Sequence, residues 1–244
     1  MGLFDRAFIS LRTCMKELSD RHLLREIVHS GDLLPAWPQG GDRNLVLASE
    51  VGVELGNPRE ESLSFVLWSE NSGDVKNGLV SLAGPDLGES GLKSLPFGKV
   101  VLLGGSGFNE ENSCVRHRAL ESIRFDVDLN GYMLRAASVY QREWIRISRE
   151  ALRDGFSLAI LGRALSEKFR QKDYIDAVEI LFVTAGPEEV RRLRPVAAEV
   201  GRIVGAMGKM TEEMALDCEA CEYVDVCNEV AELKRTRDAL RKQS

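Results

Sequence analysis

Residues 177–204 read AVEILFVTAGPEEVRRLRPVAAEVGRIV, and two different textures meet inside this stretch. The apolar run 177–183 is too short for an ordinary buried helix and rich in branched residues, so it reads as a buried strand. Gly186-Pro187 punctuates it, and Pro187 then stands where proline is tolerated, in the first turn of a helix carrying residues 187–204. A strand followed directly by an amphipathic helix implies layered architecture, either α+β or α/β, with strands covered by helices.

The neighbouring segments extend this pattern. WIRIS (144–148) reads as a short strand, SREALRDGF (148–156) as a helix stopping at Gly155, and LAILGRALSEKF (158–169) as an amphipathic helix. Earlier in the chain LVLASEVGVEL (45–55), SLSFVLW (62–68) and KVVLL (99–103) look like strands of a mixed sheet region. NPRE (57–60), NSGD (71–74) and GPDLGESG (84–91) look like turns. The loop GDLLPAWPQGGDRN (31–44) precedes them. Residues 3–30 read as helical: Phe4, Phe8, Leu11, Met15 and Leu18 share one face, and Ser19-Asp20 is placed to cap a second helix carrying Leu23, Leu24, Ile27 and Val28. The resulting division is an N-terminal helical segment (1–40), an α/β domain (41–209) and a cysteine-bearing helical segment (210–244).

Composition excludes several functions. The 244 residues carry 32 basic and 38 acidic side chains, a net charge of −6 that disfavours general nucleic-acid binding. There is no apolar run of membrane-spanning length. The charged opening MGLFDRAFISLRTCMKELSDR is no signal peptide, and Arg6 stands where a myristoylation signal wants Ser or Thr. A cytoplasmic protein is expected. An odd count of five cysteines argues against a disulfide framework.

Cys218, Cys221 and Cys227 fall within ten residues near the C-terminal end. Cys-x-x-Cys lets two sulfurs converge on one metal or cluster edge, and thiolates select zinc, copper(I) or iron–sulfur clusters. Structural zinc normally takes four protein ligands; a fourth here would have to come from as far away as Cys114 or His117. Three thiols suit an iron–sulfur cube with one iron left open. Between Met210 and Cys227 stand six carboxylates and no Lys or Arg, so unaided thiolates are disfavoured, whereas a bound cation draws the protons off the sulfurs. Beyond the cysteines, Val226, Val230, Leu233 and Leu240 form a narrow stripe on a charged helix suited to packing.

Other features admit two readings. Arg191, Arg192, Arg194 and Arg202 are able to grip a pyrophosphate, or simply to be solvated on an exposed helix. Trp144, beside Arg142 and Arg146, suits stacking on a base or core packing. Leu103-Gly104-Gly105-Ser106-Gly107 lacks the third glycine of the dinucleotide fingerprint, with Glu110 in its place, and favours a plain tight turn.

The ordered segments VELGNPREESLSFVLW (53–68), LAGPDLG (82–88), LPFGKVVLLGG (95–105), DLNGYMLRAA (128–137), WIRISREALRDGF (144–156) and DAVEILFVTAGPEEV (176–190) resemble the central region of CO-methylating acetyl-CoA synthase. That enzyme is the β subunit of the carbon monoxide dehydrogenase/acetyl-CoA synthase complex. In that family a cysteine region opens an iron–sulfur cube bridged to a two-nickel site, and central arginines and a tryptophan help bind coenzyme A. The resemblance implies Cys218 and Cys221 as cluster ligands, with Cys227 a third at altered spacing, and Arg191, Arg192 and Arg194 as coenzyme A phosphate contacts. The family's nickel-binding Cys-Gly-Cys has no match in this sequence, nor has its large dehydrogenase-docking domain. The loop that carries its coenzyme A tryptophan is shortened, so Trp144 is not that residue's equivalent. A family active site is therefore expected to need another chain. The expected function is a short family member holding an iron–sulfur cluster, of the 4Fe-4S type, as an accessory or partner subunit in acetyl-CoA metabolism. The alternatives are a zinc-stabilised protein-interaction module and a subunit that completes acetyl transfer with another chain.

Overall fold

The computed structural model describes residues 2–32, 35–41, 44–89, 91–109, 111–138 and 141–215. Contacts divide the chain into two units, residues 1–204 and 205–244. The first holds α1 (Asp5–Asp20), β1 (Leu24–Val28), β2 (Val51–Leu55), β3 (Ser62–Ser69), β4 (Val80–Ala83), β5 (Ser94–Leu95), β6 (Phe97–Gly105), α2 (Ser113–Ser122), β7 (Tyr132–Ser138), β8 (Arg142–Ser148), α3 (Arg149–Arg153), α4 (Leu158–Arg170), β9 (Ile175–Val183) and α5 (Pro187–Arg192). The last described helix, α6, is Arg194–Ala215.

The strands form two mixed sheets in an α+β fold. The larger runs β1-β4-β9-β6-β3 and the smaller β5-β2-β8-β7. Strands β3 and β6 are buried at every position, and β9 at all but Asp176, which requires cover on both faces. Pleat alternation assigns that cover. Helix α4 lies on the face of Val80 and Phe182, where Gly162 permits a close approach. The other face bears Glu179, fully buried and gripped by Arg12 of α1 at 2.5 and 2.7 Å, and Val183, which with Leu193 at the α5–α6 junction packs close over Gly98. The Lys76 backbone N–H also donates to Glu179, at 2.8 Å, so this carboxylate pins α1 to the sheet.

The strand–helix reading of 177–204 holds: β9 is followed by α5, with Pro187 in its first turn, and then by α6. Helix α3 ends before Gly155, whose φ of +93° suits glycine. Two expectations are corrected. The second N-terminal helix is instead strand β1. His22 takes a φ of +56°, which breaks the helical path, and the freed segment pairs antiparallel with β4, Leu24 opposite Ala83. The strand expected over 45–55 is confined to Val51–Leu55, and Leu45 and Leu47 are exposed. Helix α2 and strand β7 were not foreseen. The segment carrying Cys218, Cys221 and Cys227 lies outside the described residues.

Candidate functional site

The turn after β2 opens one wall of a cleft. Gly56 takes a φ of +59°, and the Asn57 side chain accepts the Arg59 N–H at 2.9 Å, so Pro58–Glu61 are presented before β3 begins. The Phe97 N–H donates to the Glu61 carbonyl at 2.9 Å and fixes the backbone there. Gln141, with a φ of +61°, supplies the second wall: its carbonyl accepts the Ser64 N–H at 2.6 Å, and its side-chain amide donates to the Ala197 carbonyl of α6 at 3.1 Å. Helix α5 and the start of α6 form the third. Together they enclose an open cleft of about 610 Å³ lined by Arg59, Glu60, Glu61, Arg142, Arg191 and Arg194, among others.

The arginines in this cleft are unequally engaged. Glu61 bridges two of them, accepting Arg191 Nε on Oε1 at 2.8 Å and Arg194 on Oε2 at 2.6 Å. Arg191 also pairs with Glu188. The hydrogen bond from Arg191, joined by the charge of Arg194, holds the Glu61 carboxyl below its ordinary range against a smaller opposing effect of burial. Arg142 donates only to the Glu60 carbonyl, at 3.1 Å, and Arg59 makes no side-chain ion pair among the described residues. Arg192 turns away, toward Glu189 at 3.2 Å and Glu17 at 3.5 Å, and Arg202 is exposed on α6 outside the cleft. Four positive against two negative lining side chains give the cleft a local charge opposite to that of the chain.

Arg142 also begins a second feature. Alternation along β8 puts Arg142, Trp144 and Arg146 on one face and Glu143, Ile145 and Ile147 on the buried one. The half-buried Trp144 ring has the guanidinium of Arg146 5.2 Å and that of Arg135 5.5 Å from its centre. Arg146 is itself held by Glu54 at 2.8 Å. The indole N–H is buried without a hydrogen-bond partner. A basic cleft thus continues, along one strand, into an aromatic side chain, a combination suited to a ligand with both phosphates and a base.

The buried face of β8 fixes this arrangement. Glu143 accepts Lys99 Nζ at 2.6 Å and Ser64 Oγ at 2.9 Å, while its backbone exchanges hydrogen bonds with Ser62 Oγ at 2.7 and 3.0 Å. Arg124 stands between Glu143 and Glu121, 3.7 and 3.1 Å away. Burial pushes up both the Glu121 carboxyl and the nearby Tyr132 hydroxyl.

The turn expected at 103–107 is shorter: Leu103, Gly104 and Gly105 are the end of β6, and only Ser106-Gly107 lie beyond it. Its Ser106 and Gly107 carbonyls accept from Arg116, whose guanidinium lies 4.3 Å from the centre of the Tyr174 ring, so carbonyl oxygens rather than N–H groups are gathered there. Cys114 and His117 are buried on α2, His117 against Phe4 and Trp68. Among the described residues, no group of three or more His, Cys, Asp or Glu side chains is placed to hold a metal ion. Sequence reading singled out Arg191, Arg194, Arg142, Trp144 and Arg146. It missed Arg59 and Glu61, which sit in an ordinary-looking turn and join the others only through sheet order.

The family model described as CO dehydrogenase/acetyl-CoA synthase complex beta subunit matches residues 41–190, more than half of the chain. That range includes Arg59, Glu61, Lys99, Arg142, Glu143 and Trp144 and ends just before Arg191. The acetyl-CoA decarbonylase/synthase complex subunit beta of Methanothermobacter thermautotrophicus is 29% identical over 143 residues, covering 57% of this chain and 29% of that protein. The match thus spans under a third of that relative's length. On the extent of the family match, the chain belongs to the CO dehydrogenase/acetyl-CoA synthase complex beta subunit family.

Proposed function

We propose that this chain serves acetyl-CoA metabolism as an accessory or partner subunit, holding the phosphates of coenzyme A in the Arg59, Arg142, Arg191 and Arg194 cleft. One observation carries the reading: arginines scattered from residue 59 to residue 194 converge on one cleft in a chain of net charge −6, with Trp144 two residues along the strand from Arg142. Guanidiniums pair with phosphate oxygens in fork geometry, and the indole offers a surface for adenine.

The second part of the proposal concerns Cys218, Cys221 and Cys227, which lie outside the described residues and are read from sequence. Three thiols within ten residues, amid carboxylates that need a cation to balance them, make a donor set suited to an iron–sulfur cluster. Such a cluster supplies one-electron transfer or an open iron for a ligand.

Calorimetric titration with coenzyme A tests the cleft. The Arg191→Gln/Arg194→Gln double variant is expected to weaken binding by about tenfold or more, since each charge-assisted hydrogen bond contributes about 1.5–3 kcal/mol. Unaltered affinity in that variant, or no binding by the wild type, refutes the assignment. Iron and sulfide analysis with electron paramagnetic resonance after anaerobic purification tests the cysteines. Stoichiometric zinc without iron would favour a structural zinc module instead.

A further inference from the structure

Within the cleft, Glu61 occupies the place where an anion would sit. Each of its carboxylate oxygens accepts from a different guanidinium, at 2.8 Å from Arg191 and 2.6 Å from Arg194, which is the bridging pattern two oxygens of one phosphate would make. The Glu61 side chain is 19% exposed, whereas those of Arg191 and Arg194 are 41% and 60% exposed. The arginines are therefore open to the cleft while the acid between them is largely covered. The Glu61 backbone is tied to Phe97, so the side chain is able to swing away without moving the loop. Arg59 and Arg142, by contrast, are engaged by no carboxylate among the described residues.

We infer that Glu61 is a built-in competitor for the anion site, so that only a ligand presenting more than one phosphate displaces it. The inference rests on the reading of this cleft as a phosphate site and adds its selectivity. A single phosphate replacing Glu61 exchanges one anion for another on Arg191 and Arg194 and gains little. A ligand that also reaches Arg59 and Arg142 recovers two further cation contacts, which offset the displaced carboxylate. Glu61 thereby turns a basic cleft into a filter that rejects orthophosphate and simple carboxylates.

The experiment is calorimetric titration at fixed ionic strength with orthophosphate, pyrophosphate and coenzyme A, on wild type, Glu61→Gln and Glu188→Gln. Glutamine retains a carbonyl acceptor for Arg191 and removes the charge. Glu188 is the control, being an equal charge that touches Arg191 but is 74% exposed at the rim. Glu61→Gln is expected to tighten pyrophosphate by about tenfold, in line with removing one unit charge in contact with the ligand's partners, and to make orthophosphate binding measurable. Glu188→Gln is expected to change either by less than about threefold, because exposed charge is screened. Equal or weaker binding in Glu61→Gln overturns the competitor role, as does an equal gain in Glu188→Gln. If the wild type binds coenzyme A and Glu61→Gln shows no gain, the phosphate site stands and only the filter falls. If neither protein binds any of the three ligands, both fall.

Discussion

At the scale of residues, the buried charges decide more than their number suggests. Lys99 and Glu143 are 5% and 1% exposed, and their 2.6 Å contact joins the large sheet to β8, the strand that carries Arg142 and Trp144. Removing one partner strands the other. Lys99→Met should lower stability by about 3–5 kcal/mol in urea denaturation, and adding Glu143→Leu should restore much of it. A loss below about 1 kcal/mol in the single variant would show that Arg124 and Ser64 suffice to hold Glu143. His117 makes a second prediction. Burial beside Phe4 and Trp68 outweighs a backbone hydrogen bond at Val66 and lowers its pKa to about 4, and its Nε2 has no partner. A depressed folded-state value favours the neutral ring, so its contribution is present above the ordinary value near 6.5. It is lost as pH falls from there toward 4. About 3 kcal/mol should vanish over that window, and His117→Leu should flatten the wild-type dependence by that amount. Parallel pH profiles for the two proteins would contradict this.

At the scale of elements, helix α4 shows how close packing overrides propensity. A Cβ at Gly162 would lie 2.7 and 2.9 Å from the Val80 methyl carbons and 3.2 Å from the Phe182 ring. Alanine there should destabilise by about 1–2 kcal/mol despite its better helix propensity, because neither neighbour has room to yield. Gly201 on α6 meets only the Gln141 amide, at 3.9 Å, so Gly201→Ala should instead stabilise by about 0.5–1 kcal/mol. Thermal melts of the two variants should shift in opposite directions; shifts of the same sign would refute the packing account. The elements legible in the sequence were those with strong local period: α1, α4, β3, β6, β8, β9 and α5–α6. Leu23, Leu24, Ile27 and Val28 share a helical spacing, which favours a helix, while what makes β1 a strand is its antiparallel pairing with β4, distant in sequence. Strand β7 carries apolar residues on both faces and a register shift at its one charged residue, Arg135, which blurs its alternation.

For the whole molecule, all of the buried apolar side chains among the described residues except Met207 belong to residues 1–204, and Cys218, Cys221 and Cys227 follow in the sequence. Cys221→Ala should therefore lose most bound iron while the unfolding free energy of the 1–204 unit, from urea denaturation, changes by less than about 1 kcal/mol, since contacts group those residues among themselves. Global unfolding of that variant would overturn the separation. No helix among the described residues is long and apolar enough to cross a membrane. The sequence alone determined a layered helix-and-strand architecture, α+β or α/β (the sheet pairing then decided for α+β), the strand-to-helix step at 183–187, the family, and a cluster of thiols suited to a metal. These follow from local periodicity, proline and glycine placement and residue chemistry, all of which are written along the chain. Only the tertiary structure decided that Arg191 and Arg194 clasp Glu61, that Arg192 points elsewhere, and that Arg59 and Arg142 complete the cleft. Those residues are brought together by the pairing order of two sheets, a long-range property set by which apolar faces bury best, and no stretch of sequence records it by itself.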